Sequence, residues 1–396
     1  MSKGSKSNNN LPAIGELQEM EKSPIKDWEL VKLGDILSLE YGENLPSGKR
    51  ENGDIPVYGS NGKIGEHSEA YVNSPGIIVG RKGSIGETSF SEIPFWPIDT
   101  TYYISPEETE QNLKYLYYLL NHLKLERFNA ASAIPGLNRD DAYNLKTILP
   151  SIHEQRMIAS VLLNTDRLIH KSQEIIEESE RIKKGLMKEL LLPSIAQVGK
   201  LQTLKKSPKK GWELKKLGEI LKFEYGKSLP EKDRENGDFP VYGSNGQVDT
   251  HSEYFVNGPG IIVGRKGSIG ELVYSENDFW PIDTTYYITK NETKENLKFL
   301  YYLLEIMQLK RINAASAVPG LNRNDVYGFK ALIPPKDIQE KIVNQIEAID
   351  RIIINYRREK NQLKQLKKGL MQDLLTGKVR TKDKPIKVLE EVKRYG

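Results

Sequence analysis

The chain has 396 residues, 38% apolar and 28% charged, with 58 lysines and arginines against 54 acidic residues. It contains no cysteine, which excludes disulfides, iron–sulfur clusters and thiolate zinc sites. The five histidines show no metal-ligand spacing, no apolar run approaches the roughly 18 residues of a membrane span, and a net charge of +4 does not by itself announce a nucleic-acid binder.

Residues 1–27 read as a partly disordered lead, because MSKGSKSNNN lacks the apolar core of a signal peptide. A cytoplasmic setting is expected. Residues 28–150 form a first globule rich in Gly, Pro, Tyr and Trp. Short apolar runs bounded by turn residues, such as Gly76–Gly80 (GIIVG), predict buried strands there. One helix interrupts them from Asn112, with Leu113, Leu116, Tyr117 and Leu120 on its apolar face. Over 151–191 glycine nearly vanishes and charge rises. Val161, Leu168, Ile175 and Ile182 recur every seven residues there, which predicts a long helix with a coiled-coil seam. A lysine-rich linker over 192–211, containing Pro193 and Pro208, leads to a second globule over 212–334. A second long helix over 335–376 and a tail over 377–396 complete the expected order.

The second half repeats the first. VYGSNG at Val57 returns at Val241, IIVGRKGSIG at Ile77 returns at Ile261, and FWPIDTTYYI at Phe95 returns at Phe279. NAASA at Asn129 returns at Asn313 and KKGLM at Lys183 at Lys367, so every pair is 184 residues apart. That period is far above solenoid repeats and indicates a duplicated domain. In the second helix the other seam position is filled, by Ile349, Tyr356, Leu363 and Leu370, which correspond to Thr165, Ser172, Ser179 and Leu186. The globules stay alike while the helices diverge, as two helices packing on each other as unlike partners would. Two separate amphipathic helices, each capping its own globule, are the alternative. The expected fold class is α+β: two similar domains of mixed strands and short helices, separated by two long helices forming an antiparallel coiled coil, with pseudo-two-fold symmetry.

The stretch from Leu332, LIPPKDIQEKIVNQIEAIDRIIINYRREKNQLKQLKKGLMQDLLTGKVR, resembles the specificity subunits of type I restriction–modification systems. The first copy carries the same signature more loosely, as LPSIHEQRMIASVL followed by RIKKGLMKELLLP. The globules resemble target recognition domains through WELVKLGDI (Trp28–Ile36), VYGSNG, GRKGSIG and PGLNRDD. The resemblance covers roughly residues 28–380. It implies a non-catalytic subunit without a cofactor of its own, in which each recognition domain reads half of a bipartite double-stranded DNA target. It also implies partners: methyltransferase subunits that use S-adenosylmethionine and dock on the long helices, and ATP-driven restriction subunits. The chain itself shows no phosphate-binding loop, since Ser84 and Ile85 stand where GxxxxGK[ST] needs its Lys and Ser or Thr. A fused single-chain methyltransferase or nuclease, or a coiled-coil adaptor binding only protein, are the rival readings.

Bases are read by Arg, Lys, Asn and Gln, and phosphates are held by cations, hydroxyls and backbone N–H groups beside glycine. Three loops in each globule have that chemistry. The loop Gly80–Gly86 offers Arg81, Lys82 and Ser84, and its twin offers Arg265, Lys266 and Ser268. The turn after Tyr58 offers Ser60, Asn61 and Lys63, paired with Ser244, Asn245 and Gln247. A third loop offers Lys49 and Arg50, against Lys232 and Arg234 in a different arrangement. An ordinary turn with solvated charges is the alternative for each; two adjacent cations among three glycines favour contact for the first loop, while the other two read equally either way. Asn138 and Arg139, with Asn322 and Arg323, either bind phosphate or stabilise the corner before the closing strand, the structural role being favoured; Trp96, Tyr102 and Tyr103 read as core rather than as base-stacking platforms. Lys183, Lys367, Asp166 and Asp350 on the long helices read as solvated charges.

Overall fold

The computed structural model describes residues 17–127, 136–195, 210–310, 320–382 and 384–396, with backbone alone for 192–195. Residues 1–16 of the lead, most of the linker over 192–211 and both NAASA segments lie outside the described residues. The chain divides into two units, Met1–Ser172 with Arg358–Gly396, and Gln173–Arg357. Both boundaries fall within the long helices, so each unit holds one globule and part of each helix.

The first globule begins with β1 (Glu29–Lys32), β2 (Glu40–Tyr41), β3 (Ile55–Gly59), β4 (Gly62–His67) and β5 (Gly76–Gly80). It continues through β6 (Thr88–Ser91), β7 (Trp96–Pro97), β8 (Thr101–Ile104), α1 (Leu113–Leu123), α2 (Arg139–Tyr143) and β9 (Lys146–Leu149). One sheet runs β2-β8-β5-β6, a second runs β4-β3-β7, and β1 closes on β9. All pairings are antiparallel except β3 with β7. GIIVG is the fully buried β5, flanked on both sides by strands, as its unbroken apolar run requires. Helix α1 starts where Asn112 accepts a bond from the Tyr115 amide, an N-cap that satisfies a free donor. Its Leu113, Tyr115, Leu116, Leu119 and Leu120 fill the core.

A long helix α3 (Ile152–Ile195) follows. The second globule repeats the first, with β10 (Glu213–Lys216), the short α4 (Leu217–Ile220), β11 (Glu224–Tyr225), β12 (Phe239–Gly243), β13 (Gly246–His251) and β14 (Gly260–Gly264). Then come β15 (Leu272–Ser275), β16 (Trp280–Pro281), β17 (Thr285–Thr289), α5 (Leu297–Met307), α6 (Arg323–Gly328), β18 (Lys330–Ile333) and the long α7 (Lys336–Leu375). Its sheets run β11-β17-β14-β15 and β13-β12-β16, with β10 on β18. The short α8 (Glu390–Lys393) lies in the tail.

The glutamine of each helix signature has a physical task. Gln155 is 1% exposed; its Oε1 accepts from the Asn112 amide and its Nε2 donates to Pro150 O. Gln339 does the same for Asn296 and Pro334. Each ties the start of a long helix to the start of the globule's own helix.

Within the second unit, Lys183 meets Asp350 at 2.8 Å and Glu180 meets Arg357 at 2.5 Å. One partner descends as the other climbs, so the two helices are antiparallel. In the first unit Lys367 meets Asp166 at 2.6 Å. On the 184-residue period Asp166 corresponds to Asp350 and Lys367 to Lys183, so the two units use the same contact. The tyrosine hydroxyls of Tyr118 and Tyr302 donate to the same two aspartates, at 2.8 and 2.9 Å. These charges are therefore structural links between helix and globule, where the sequence suggested solvated faces.

The buried row of α3 is also not the expected one. Leu168 and Ile182 are each 50% exposed, whereas Thr165, Ser172 and Ser179 are at 6%, 3% and 8%. The reason is local. The Thr165 and Ser172 hydroxyls each donate to the carbonyl four residues back, at 2.9 Å, which removes the cost of an unpaired donor. At the corresponding positions of α7, Ile349, Tyr356, Leu363 and Leu370 are all half-buried.

The tail is not a loose end. Leu374, Leu375, Val392 and Tyr395 belong to the first globule's core. Glu154, 2% exposed, fixes it there: Arg380 grips its two oxygens at 2.9 and 2.8 Å, the Thr381 amide donates at 3.1 Å and the Trp28 indole at 3.0 Å. Burial pushes this carboxyl up, but the bonds from Arg380, Trp28 and Thr381 outweigh burial and hold it below its ordinary value.

Candidate nucleic-acid interface

The Gly80–Gly86 loop leaves β5 and is closed by Gly86 N donating to Gly80 O and Gly80 N donating to Glu87 O, both 2.8 Å. Its glycines are sterically fixed. A Cβ on Gly80 would sit 2.0 Å from Ser84 O, and one on Gly86, at φ +75°, would sit 2.3 Å from Glu126 N. The amides of Arg81 and Lys82 both donate to Thr100 O, so they hold the loop rather than face outward.

Arg81 is half-buried and preorganised. Its Nε and Nη2 donate to Asp99 O at 3.2 and 2.5 Å, and its guanidinium lies 5.2 Å from the Tyr41 ring centre. Arg139 approaches the same ring at 4.5 Å and donates to Leu39 O. Tyr41 is 46% exposed. The result is an exposed aromatic ring with two guanidinium groups against it, joined from β2, the glycine loop and α2. Tyr102, below it, has its phenol pushed up to about 12 by burial and by Tyr41, against the pull of Arg81 and Arg139, so it stays neutral. The second globule repeats the cluster with Arg265 at 5.4 Å and Arg323 at 5.1 Å from the ring of Tyr225, which is 48% exposed. Arg265 donates to Asp283 O at 3.2 and 2.7 Å.

Lys82 and Lys266 are exposed, and among the described residues neither pairs with a carboxylate. The turn between β3 and β4 reaches this loop: the Ser84 amide donates to Ser60 Oγ and the Ser268 amide to Ser244 Oγ, each at 3.4 Å. Ser268 Oγ also donates to Asn245 Oδ1 at 3.4 Å. Asn61 and Asn245 are exposed at the turn tips. The structure thus joins two of the three expected loops in each globule. Lys63 is exposed and pairs with Glu66 at 2.7 Å, while Gln247 donates to Asp249 O at 3.2 Å.

The third loop behaves differently. Arg50 donates to Ile64 O at 3.0 Å and to Leu45 O at 3.5 Å; Arg234 donates to Leu229 O and pairs with Asp249 at 3.3 Å. Both arginines brace the β3–β4 or β12–β13 hairpin, and Lys49 and Lys232 stand exposed beside them. Asn138 and Asn322 cap α2 and α6 through their side chains.

Sequence reasoning passed over Tyr41 and Tyr225, and for Arg139 and Arg323 it favoured a corner role over phosphate binding. A signal was present: Glu-Tyr-Gly stands at both Glu40–Gly42 and Glu224–Gly226. The glycine explains itself, since a Cβ on Gly42 would sit 2.2 Å from Ile98 O.

A family model described as the type I restriction modification DNA specificity domain matches residues 25–181 and again residues 209–365. The putative type I restriction enzyme MjaX specificity subunit of Methanocaldococcus jannaschii is 26% identical over 304 residues, covering 70% of this chain and 71% of that protein. The MjaIX specificity subunit of the same organism is 24% identical over 424 residues, covering 90% of this chain and 95% of that protein. In fold, the chain is similar to the crystal structure of a type I restriction–modification system S subunit from M. genitalium, with a TM-score of 0.67 at 21% identity over 94% of this chain and 98% of that one. Two family matches that together span most of the chain, set on the same 184-residue period as the repeat, place it: the chain belongs to the type I restriction–modification DNA specificity family.

Proposed function

We propose that this chain is a non-catalytic specificity subunit that recognises a bipartite double-stranded DNA target, one half-site per globule. The observation that carries the reading is the doubled exposed cluster of arginine on tyrosine, beside a glycine loop and an Asn-Gly turn, in a chain of this family. Guanidinium groups held against an exposed ring supply cations for phosphate or base edges at low ordering cost. Exposed Lys82, Lys266, Asn61 and Asn245 flank the clusters. Ser60, Ser84, Ser244 and Ser268 shape the loops, Lys63 and Gln247 lie on the flanking hairpins, and Lys49, Arg50, Lys232 and Arg234 lie on the loops that brace those hairpins.

The two glycine loops are identical in sequence and the turns differ mainly at Lys63 against Gln247. We therefore infer a nearly palindromic interrupted target. Methyltransferase subunits would dock on the long helices, where the exposed apolar Leu168 and Ile182 recur at the equivalent positions as Ile352 and Leu366. Restriction subunits would join that complex, and all of this would take place in the cytoplasm. No described helix is long and apolar enough to cross a membrane.

Methylome sequencing of cells expressing the chain with its methyltransferase tests the reading; two unrelated half-sites would overturn the near-palindrome. Arg81→Ala should weaken or relax one half-site and Arg265→Ala the other, by about 1–3 kcal/mol for a base contact. A footprint unchanged in both variants would remove the clusters from the interface. A protein-only adaptor would give no footprint at all.

A further inference from the structure

The two units share most of the side chains around one groove but not what fills it. In the first unit the groove lies between α1, β6 and α3, and the tail occupies it. Val392 is 0% exposed and Tyr395 7%. The Tyr395 ring packs edge-on against Phe90 at 5.3 Å, and Lys114 Nζ sits 3.6 Å from the Phe90 ring centre. Glu391 pairs with Arg167. The backbone is held as well: the Leu113 amide donates to Tyr395 O at 2.8 Å and Asn112 Nδ2 to Val392 O at 2.7 Å.

In the second unit the corresponding residues line an open cavity of about 390 Å³, bounded by Tyr274, Tyr301, Tyr302 and Ile354 and by the charged Lys298, Arg351, Glu347 and Asp350, of which Glu347 is paired with Lys298 and Asp350 with Lys183. On the 184-residue period, Tyr274 stands for Phe90, Lys298 for Lys114, Tyr302 for Tyr118 and Arg351 for Arg167. The aromatic wall, the lysine and the arginine that hold the tail are all kept. Lys298 is paired with Glu276 and Glu347, but among the described residues no carboxylate pairs with Arg351.

We propose that this cavity is a docking site for a short amphipathic helix of a partner polypeptide, carrying a glutamate, an aliphatic residue next to it and an aromatic three further on, as Glu391, Val392 and Tyr395 do. The linker of this chain does not have that chemistry. Residues 192–211 contain no acidic and no aromatic residue, and their lysines would face Lys298 and Arg351. A second copy's tail would have to leave its own groove, where Val392 is fully buried, for one in which Glu347 replaces Leu163. That exchange gains nothing, so a separate partner is the occupant the chemistry favours.

The probe is a fluorescein-labelled peptide of the sequence Ile386–Gly396, titrated against the full chain without DNA. Saturable binding is expected. Arg351→Glu should weaken it at least tenfold, and a peptide carrying Glu391→Lys should recover most of that loss, an outcome a misfolded variant could not give. A photoreactive residue at the Val392 position should crosslink within residues 274–354. No binding, or crosslinks to Phe90 and Lys114 instead, overturns the proposal. Concentration-dependent self-association of the chain, blocked by the peptide, overturns the partner in favour of a second copy.

Discussion

Glu154→Gln should release the tail from the first unit while leaving the second unit untouched. The carboxylate accepts two charge-assisted bonds from Arg380, one from the Trp28 indole and one from the Thr381 amide, and its side chain is 3% exposed. Glutamine keeps the volume but turns one acceptor into a donor that faces the guanidinium. Breaking one side of a buried pair costs about 3–5 kcal/mol. Arg380 retains 21% side-chain exposure and recovers some hydration, so about 3 kcal/mol is the working figure. At about 1.4 kcal/mol per tenfold, the opening equilibrium of the tail should rise roughly 100-fold. Hydrogen exchange followed by mass spectrometry reads this directly, peptide by peptide. Segment 384–396 should exchange faster, whereas peptides around Ile338, which replaces Glu154 in the repeat, should not change. Equal loosening of both units, or none, would refute the reasoning. Acid should act in the same direction. Because the folded carboxyl is held below its ordinary 4.5, its contribution is present above that value and is lost as pH falls through the lower folded one. Below about pH 4.5 the wild type should approach the variant, whose tail stability should change less with pH over that range.

Three further outcomes follow from the fold. Asp166→Ala removes the acceptor of Tyr118 and the partner of Lys367, and should cost about 1.5–3 kcal/mol; Lys367→Met, losing only a partly exposed ion pair, should cost about 0.2–1 kcal/mol, and a double-mutant cycle by denaturant unfolding checks that they couple. Ser172→Leu overfills a buried position 3% exposed and should destabilise by about 1–3 kcal/mol, although it raises hydrophobicity; a stabilising result by thermal unfolding would contradict the seam described. Gly86→Ala forces a side chain into φ +75° and against Glu126 N, and should cost about 1–3 kcal/mol with loss of DNA binding by gel shift, whereas Gly185→Ala, in open helix surface, should be neutral or stabilising.

Much of this was legible in the chain because the strongest signals were local. GIIVG reads as a buried strand from its unbroken apolar run, and the helix from Asn112 reads from the spacing of Leu113, Leu116, Tyr117 and Leu120. The duplication shows in identical words 184 residues apart. What escaped either carries no apolar signature or depends on partners distant in sequence. Apolar Leu168 and Ile182 looked like a seam, yet Ser172 and Thr165 are buried because their hydroxyls find the carbonyl one turn back. Nothing near Glu154 announces Arg380, which lies 226 positions away. Tyr41 is an ordinary turn-side tyrosine until two arginines from remote segments close on it.

The closed glycine loop has a consequence for how such a protein can acquire a new target. Gly80 and Gly86 admit no other residue without moving backbone, and their twins Gly264 and Gly270 are confined by the same neighbours. Mutational drift is therefore barred at these glycines in both halves, which keeps the frame of GRKGSIG the same in each copy. The positions with space around them are Asn61, Lys63, Lys82 and Lys49 and their counterparts. Lys63 and Gln247 already differ. Retargeting by selection or by design would begin at those few open positions, one half-site at a time, with the frame inherited intact.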